Sequence, residues 1–122
     1  MTSALIADLE WRGLIAQTTD REALLKDLDA GPVTYYCGYD PTAPSLHVGN
    51  LVVLSVMRRF QLAGHKPLPL VGGATGLVGD PSGRNEERSL NDESIVEEWV
   101  SRLRNQISRF LDFDSSTNGA VM

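Results

Sequence analysis

Residues 33–64 hold the feature that most restricts the fold: a short β-branched and aromatic run, a proline-bearing loop and an amphipathic helix in immediate succession. The run Val33-Thr34-Tyr35-Tyr36-Cys37, bounded by Gly31-Pro32 and Gly38, has the composition of a buried strand. Asp40 to Ser45 carries Pro41 and Pro44 among small residues and predicts a loop. From His47, apolar residues at Val48, Leu51, Val52, Leu54, Phe60 and Leu62 predict a helix closed by Gly64. A strand feeding a helix through so short a loop is the first half of a βαβ unit.

The flanking segments extend this pattern. Residues 3–12 form a short amphipathic helix on Leu5, Ile6 and Leu9, with Trp11 and Leu14 as further core candidates. Thr19 and Glu22 have capping-box spacing ahead of Leu24, Leu25 and Leu28, in a second helix that ends at Gly31-Pro32. Leu68 to Val71 supplies a second strand, in which Pro69 points to an edge, a bulge or a short pairing stretch. Gly72 to Arg88 holds five glycines and one proline in seventeen residues, a loop whose length marks it for substrate contacts. Asn91 can cap a final helix on Ile95, Trp99, Leu103, Ile107 and Leu111, with Asp92 and Glu93 suiting its positive end. A third strand is expected to begin at Ala120-Val121-Met122. The predicted fold is α/β, a Rossmann-like parallel sheet with helices on both faces, of which this chain carries the N-terminal half. Two units are expected: an N-terminal helical segment, residues 1–32, and the truncated half-domain, residues 33–122.

At 122 residues and 42% apolar content the chain can bury a core. A formal net charge of −5 argues against electrostatic attraction of the whole surface to nucleic acid or anionic membrane. The single cysteine, Cys37, has no disulfide or metal-spaced companion, and no signal peptide or membrane-length apolar run is visible, so the expected compartment is the cytoplasm. Arg58-Arg59, Glu86-Glu87 and Glu97-Glu98 read as solvated faces, and His65 as a surface residue after the helix stop.

The stretch from Tyr36 to Asn50 closes a strand and opens a helix, so it creates an anion site: unpaired backbone N–H groups and the helix dipole both favour phosphate. His47 and Thr42 add donors at its mouth, and Gly49 lets a flat base or sugar approach the first turn. Read singly, Gly49 can equally be a packing glycine, His47 a simple cap and Cys37 a small buried strand residue.

His47-Val48-Gly49-Asn50 resembles the HIGH signature of class I aminoacyl-tRNA synthetases. Its surroundings, Tyr36-Cys37-Gly38-Tyr39-Asp40-Pro41-Thr42, resemble the tyrosine-specific version. Leu70 to Arg84 is also similar to bacterial tyrosyl-tRNA synthetases, and the likeness runs from the first helix to about Phe113. It implies that His47 and Thr42 stabilise the ATP phosphates, that Gly49 and Asn50 sit by the adenosine, and that Cys37, Gly38 and Asp40 line the nucleotide pocket. Tyr36 is implied near the substrate phenol, Thr75 and Asp80 near its ammonium group, and Leu70 against its ring. Arg84 and Arg88 are implied to grip the leaving pyrophosphate, Arg84 in place of a more usual lysine. Asn50 replaces the commoner histidine, and its amide N–H can donate from a similar place.

The implied reaction is formation of tyrosyl-adenylate from tyrosine and ATP with Mg2+, without a prosthetic group, followed by transfer to tRNA(Tyr) by a homodimer. No stretch resembles the family's second, lysine-rich ATP signature or its anticodon-recognition domains, so this chain by itself is expected to be inactive. Two other readings stay open: a binding module that holds nucleotide or tyrosine without catalysis, and another nucleotidyltransferase that uses the same signature.

Overall fold

A parallel βαβ unit forms where the strand–loop–helix pattern predicted one. The computed structural model describes residues 2–41, 43–72 and 93–122. Its elements are α1 (Thr2–Trp11), α2 (Arg21–Ala30), β1 (Thr34–Tyr39), α3 (Val48–Leu62), β2 (Lys66–Val71) and α4 (Glu93–Ile107). β1 and β2 pair in parallel, with Thr34 opposite Lys66, Tyr36 opposite Leu68 and Gly38 opposite Leu70. Gly64, at φ 102°, turns the chain from α3 into β2, a backbone state that favours glycine.

Strand alternation divides the sheet into two chemically different faces. Tyr35, Cys37, Tyr39 and Val71 face a core completed by Leu54 and Met57 of α3, by Ile107 of α4, and by Leu111 and Ala120 beyond it. Tyr36 and Leu70 lie on the opposite face and are exposed.

The prolines of β2 are explained by the ladder. Lys66 and Gly72 donate their N–H groups to β1, at Val33 and Tyr39. By alternation Pro67 and Pro69 turn their missing N–H positions away from β1, so the pairing loses no hydrogen bond. The third strand foreseen at Ala120-Val121-Met122 is represented by one backbone hydrogen bond along this outer edge, from Val121 N–H to the Pro67 carbonyl at 3.2 Å.

α1 and α2 form a second core. Leu5, Ile6, Leu9 and Leu28 are buried together and pack on Val56 and Phe60 of α3. The cap of α2 is Asp20, one residue later than Thr19, because its carboxylate accepts from Ala23 N–H at 3.0 Å. Trp11 falls outside this core, with its ring exposed and Arg12 above it.

On α4 the buried line is Val96, Leu103 and Ile107, while Ile95 is exposed. A repeat of four residues drifts by about 40° per step around a 3.6-residue helix, which carries Ile95 off the face that Ile107 occupies. Asn91 and Asp92, expected at its start, and Glu86-Glu87 lie outside the described residues.

One surface assignment is corrected, and two surface arginines gain contacts. His65 is buried, its Nδ1 accepting from Val33 N–H at 3.0 Å. Arg59 reaches Asp8 of α1 at 2.8 Å, and Arg58 donates to the Phe110 carbonyl at 2.7 Å, so both arginines tie elements together. Among the described residues no helix is long and apolar enough to cross a membrane.

Candidate functional site

In a parallel βαβ unit the chain leaves each strand at the same end, so the β1–α3 loop and the segment after β2 emerge side by side at the carboxyl edge of the sheet. His47 opens α3 there in an extended conformation and forms a reciprocal cap with Asn50. His47 N–H donates to Asn50 Oδ1 at 3.1 Å, and Asn50 N–H donates to His47 Nδ1 at 3.3 Å.

This cap assigns a tautomer. An Nδ1 that accepts a hydrogen bond carries no proton, so in the neutral ring the proton sits on Nε2. The backbone N–H groups of Val48 and Gly49 have no partner within the helix, as at any helix start. The α3 terminus therefore combines a side-chain donor with two main-chain donors, a set suited to an oxyanion or phosphate.

Gly49 has a reason within this chain. A Cβ at that position would lie 2.9 Å from His47 Cε1 and 3.0 Å from His47 Nδ1, so the absent side chain is what lets the imidazole fold back onto the first turn.

The approach to His47 is held from α4. Gln106 Oε1 accepts from Leu46 N–H at 2.8 Å and Gln106 Nε2 donates to Ser45 Oγ at 2.9 Å. Ser45 Oγ in turn donates to the Leu46 carbonyl at 3.0 Å. Sequence reasoning missed Gln106, which lies 60 residues from Leu46 on a helix face with no motif of its own.

On the open face of the sheet, Tyr36, Leu68, Pro69, Leu70, Val121 and Met122 line an apolar hollow of about 440 Å³. The structure thus brings Tyr36 and Leu70 together and adds Leu68, which register alone places opposite Tyr36. Gly38 sits opposite Leu70, and a Cβ there would meet nothing within 4 Å, so this chain's own packing does not require the glycine.

The other tyrosines are structural. Tyr35 donates to the Met57 carbonyl and Tyr39 to Met57 Sδ at 3.1 Å. Burial raises both phenol pKa values well above the ordinary range and keeps them neutral.

Cys37 points the other way from Tyr36, half-buried against the α3 and α4 core, with Sγ 3.8 Å from the Gly38 carbonyl. Asp40 is exposed at the loop start. Thr42, Thr75, Asp80, Arg84 and Arg88 lie outside the described residues.

Comparison with known proteins bears on the whole arrangement. Residues 28–120 match the family model for tRNA synthetases class I (W and Y). The chain is 59% identical over 115 residues to tyrosine–tRNA ligase from Acidothermus cellulolyticus, covering 94% of this chain and 27% of that protein. It is 58% identical over 120 residues to the enzyme of the same name from Cronobacter sakazakii, covering 98% of this chain and 28% of that protein. Among solved structures, a C-terminally truncated mitochondrial tyrosyl-tRNA synthetase from Coccidioides posadasii superposes with a TM-score of 0.74 at 28% identity, over 95% of this chain and 34% of that one. The corresponding Aspergillus nidulans protein gives 0.74 at 35% identity, over 86% and 29%. The chain thus spans less than a third of the length of these curated relatives.

Proposed function

Because this chain belongs to the class I tRNA synthetases of the W and Y family, we propose that it is the ATP-binding, N-terminal part of the catalytic domain of a cytoplasmic tyrosine–tRNA ligase. The observation that carries this reading is the reciprocal cap of His47 and Asn50, which leaves an imidazole Nε2–H and two backbone N–H groups to meet a polyphosphate. The hollow beneath Tyr36 and Leu70 supports tyrosine as the amino acid, with the Tyr36 hydroxyl as a partner for its phenol.

In the proposed reaction the tyrosine carboxylate attacks the α-phosphorus of ATP. A carboxyl O–P bond forms as the bond to the bridging α–β oxygen breaks, and the electron pair leaves with pyrophosphate. The nucleophile is already ionised, so the chain's task is to orient it and to stabilise negative charge on the departing phosphates. His47 and Thr42 carry that charge, joined by Arg84 and Arg88. Asp80 and Thr75 hold the substrate ammonium group, and Cys37, Gly38, Asp40, Gly49 and Asn50 border the nucleotide. The Cys37 side chain, which turns toward the core, is the weakest support for this nucleotide set.

Mg2+ is assigned to the substrate triphosphate. Transfer to tRNA(Tyr), assembly as a homodimer and the division at residue 32 belong to the same proposal.

The test is tyrosine-dependent ATP–pyrophosphate exchange, run on this chain and on the complete reading frame that contains it. Exchange by the longer protein that is lost in His47→Ala supports the reading. ATP binding without any tyrosine dependence overturns it in favour of a nucleotide-binding module.

A further inference from the structure

We infer that Gln106 is a positioning residue for His47, acting from α4 through the backbone of Leu46. The inference rests on the ligase reading above for its catalytic consequence, but its geometry does not. Leu46 is clamped at both of its backbone groups: its N–H donates to Gln106 Oε1 at 2.8 Å, and its carbonyl accepts from Ser45 Oγ, which itself accepts from Gln106 Nε2. That carbonyl belongs to the peptide unit whose other end is His47 N–H, and His47 N–H is held by Asn50 Oδ1.

The 46–47 peptide plane is therefore fixed from two sides, by Gln106 and Ser45 behind it and by the α3 cap ahead of it. Rotation of this plane would break the reciprocal cap, release His47 Nδ1 from Asn50 N–H and let the imidazole change tautomer and direction. Gln106 does not touch the substrate. It is half-buried in the wall of an apolar cleft of about 300 Å³ that also includes Leu46, His47, Val48, Leu51 and Phe110. An unmade hydrogen bond at Leu46 would therefore be only partly replaced by water.

Two substitutions separate positioning from bulk stability. Gln106→Met keeps the shape and removes both polar contacts. Gln106→Glu keeps an acceptor for Leu46 N–H, but its second oxygen draws the one Ser45 hydroxyl proton away from the Leu46 carbonyl, so it restores half of the clamp. Both are made in the complete protein and measured by tyrosine-dependent ATP–pyrophosphate exchange, with folded fraction followed by circular dichroism. The ring nitrogens of His47 are followed by long-range 1H–15N spectra in the same samples.

Expected for Gln106→Met is a fall in kcat of about tenfold or more with the tyrosine KM held within about twofold, since a small misplacement of a catalytic group acts on the transition state. The His47 ring signals should leave the Nε2–H pattern in this variant. Gln106→Glu should recover part of the rate and of the ring pattern, through the Leu46 N–H contact alone. Wild-type kcat in both variants with unmoved ring signals would overturn the inference, as would a rate that falls only in step with folded fraction and is not recovered by Glu. If the wild-type protein shows no tyrosine-dependent exchange, the ligase reading fails instead, and the ring signals still decide whether Gln106 holds His47.

Discussion

Gly49 shows how one missing side chain serves the atom next to it. The histidine ring occupies the space a Cβ would take, at 2.9 Å, and because the ring is the far end of an exposed side chain, the ring rather than the helix would move. Gly49→Ala should therefore exchange about 1 kcal/mol of gained helix propensity for a cap loss of similar size. Little change in melting temperature is expected, together with a clear loss of exchange rate in the complete protein; unchanged kinetics would show that the ring has no fixed task. His65 is the opposite case, a histidine whose task is structural. Burial lowers its pKa, Nδ1 is occupied by Val33 N–H, and Nε2 is buried with no partner among the described residues. Because the folded value lies below the unfolded one, the unfolded chain binds more protons as pH falls. The stability from this residue is fully present above about 6.5, the ordinary imidazole value, and is lost as pH falls through that value toward the folded one. Thermal melts between pH 7.5 and pH 5.5, ends chosen about one unit either side of that value, should show this loss. His65→Asn, which can keep an acceptor for Val33, should flatten the slope.

Elements are joined here by side-chain amides as well as by charge. Gln61 near the end of α3 accepts Asp112 N–H at 2.9 Å and donates to the Asp112 carbonyl at 2.7 Å, while Asn118 donates back to the Gln61 carbonyl at 2.8 Å. The turn after α4 is thus held on α3 through one side chain that is 8% exposed. Gln61→Leu would leave the Asp112 N–H without its acceptor, while the Asp112 carbonyl keeps the Ala120 N–H at 2.8 Å, and should cost about 1–3 kcal/mol in urea denaturation. The Glu98–Arg102 pair, with both side chains 57% exposed, lies at the other extreme. Glu98→Ala should change stability by less than about 1 kcal/mol. If the two substitutions cost the same, the turn is not held by Gln61.

Across the molecule, what could be read from residues alone was what local chemistry determines. The strand at Val33–Cys37, the cap at His47 and the helix stop at Gly64 depend on neighbours within a few positions, and alternation along β1 already separates Tyr36 from Tyr35 and Tyr39. The misreading of His65 and the unforeseen contacts of the surface residues Arg58 and Arg59 share another cause. Their partners lie at Val33, Phe110 and Asp8, at least 32 residues away, and no local pattern encodes such a contact. Gln106 was missed for the same reason. The two faces of the sheet lead to a last expectation. One face is closed by α3 and α4, whereas Tyr36 at 74% exposure, Leu70 at 56% and Val121 at 52% leave apolar surface uncovered on the other. Val48 at 78% and Leu62 at 74% do the same along α3. Apolar area left in water contributes nothing to folding, and the outer edge of β2 gains one hydrogen bond from Val121 where a full strand would supply several. This chain by itself should therefore unfold below about 60 °C. The complete protein, if its further residues cover this face, should unfold higher. Scanning calorimetry of both proteins decides it: a cooperative transition of the short chain well above that temperature would mean that the two cores around α3 suffice without any cover on the Tyr36 face.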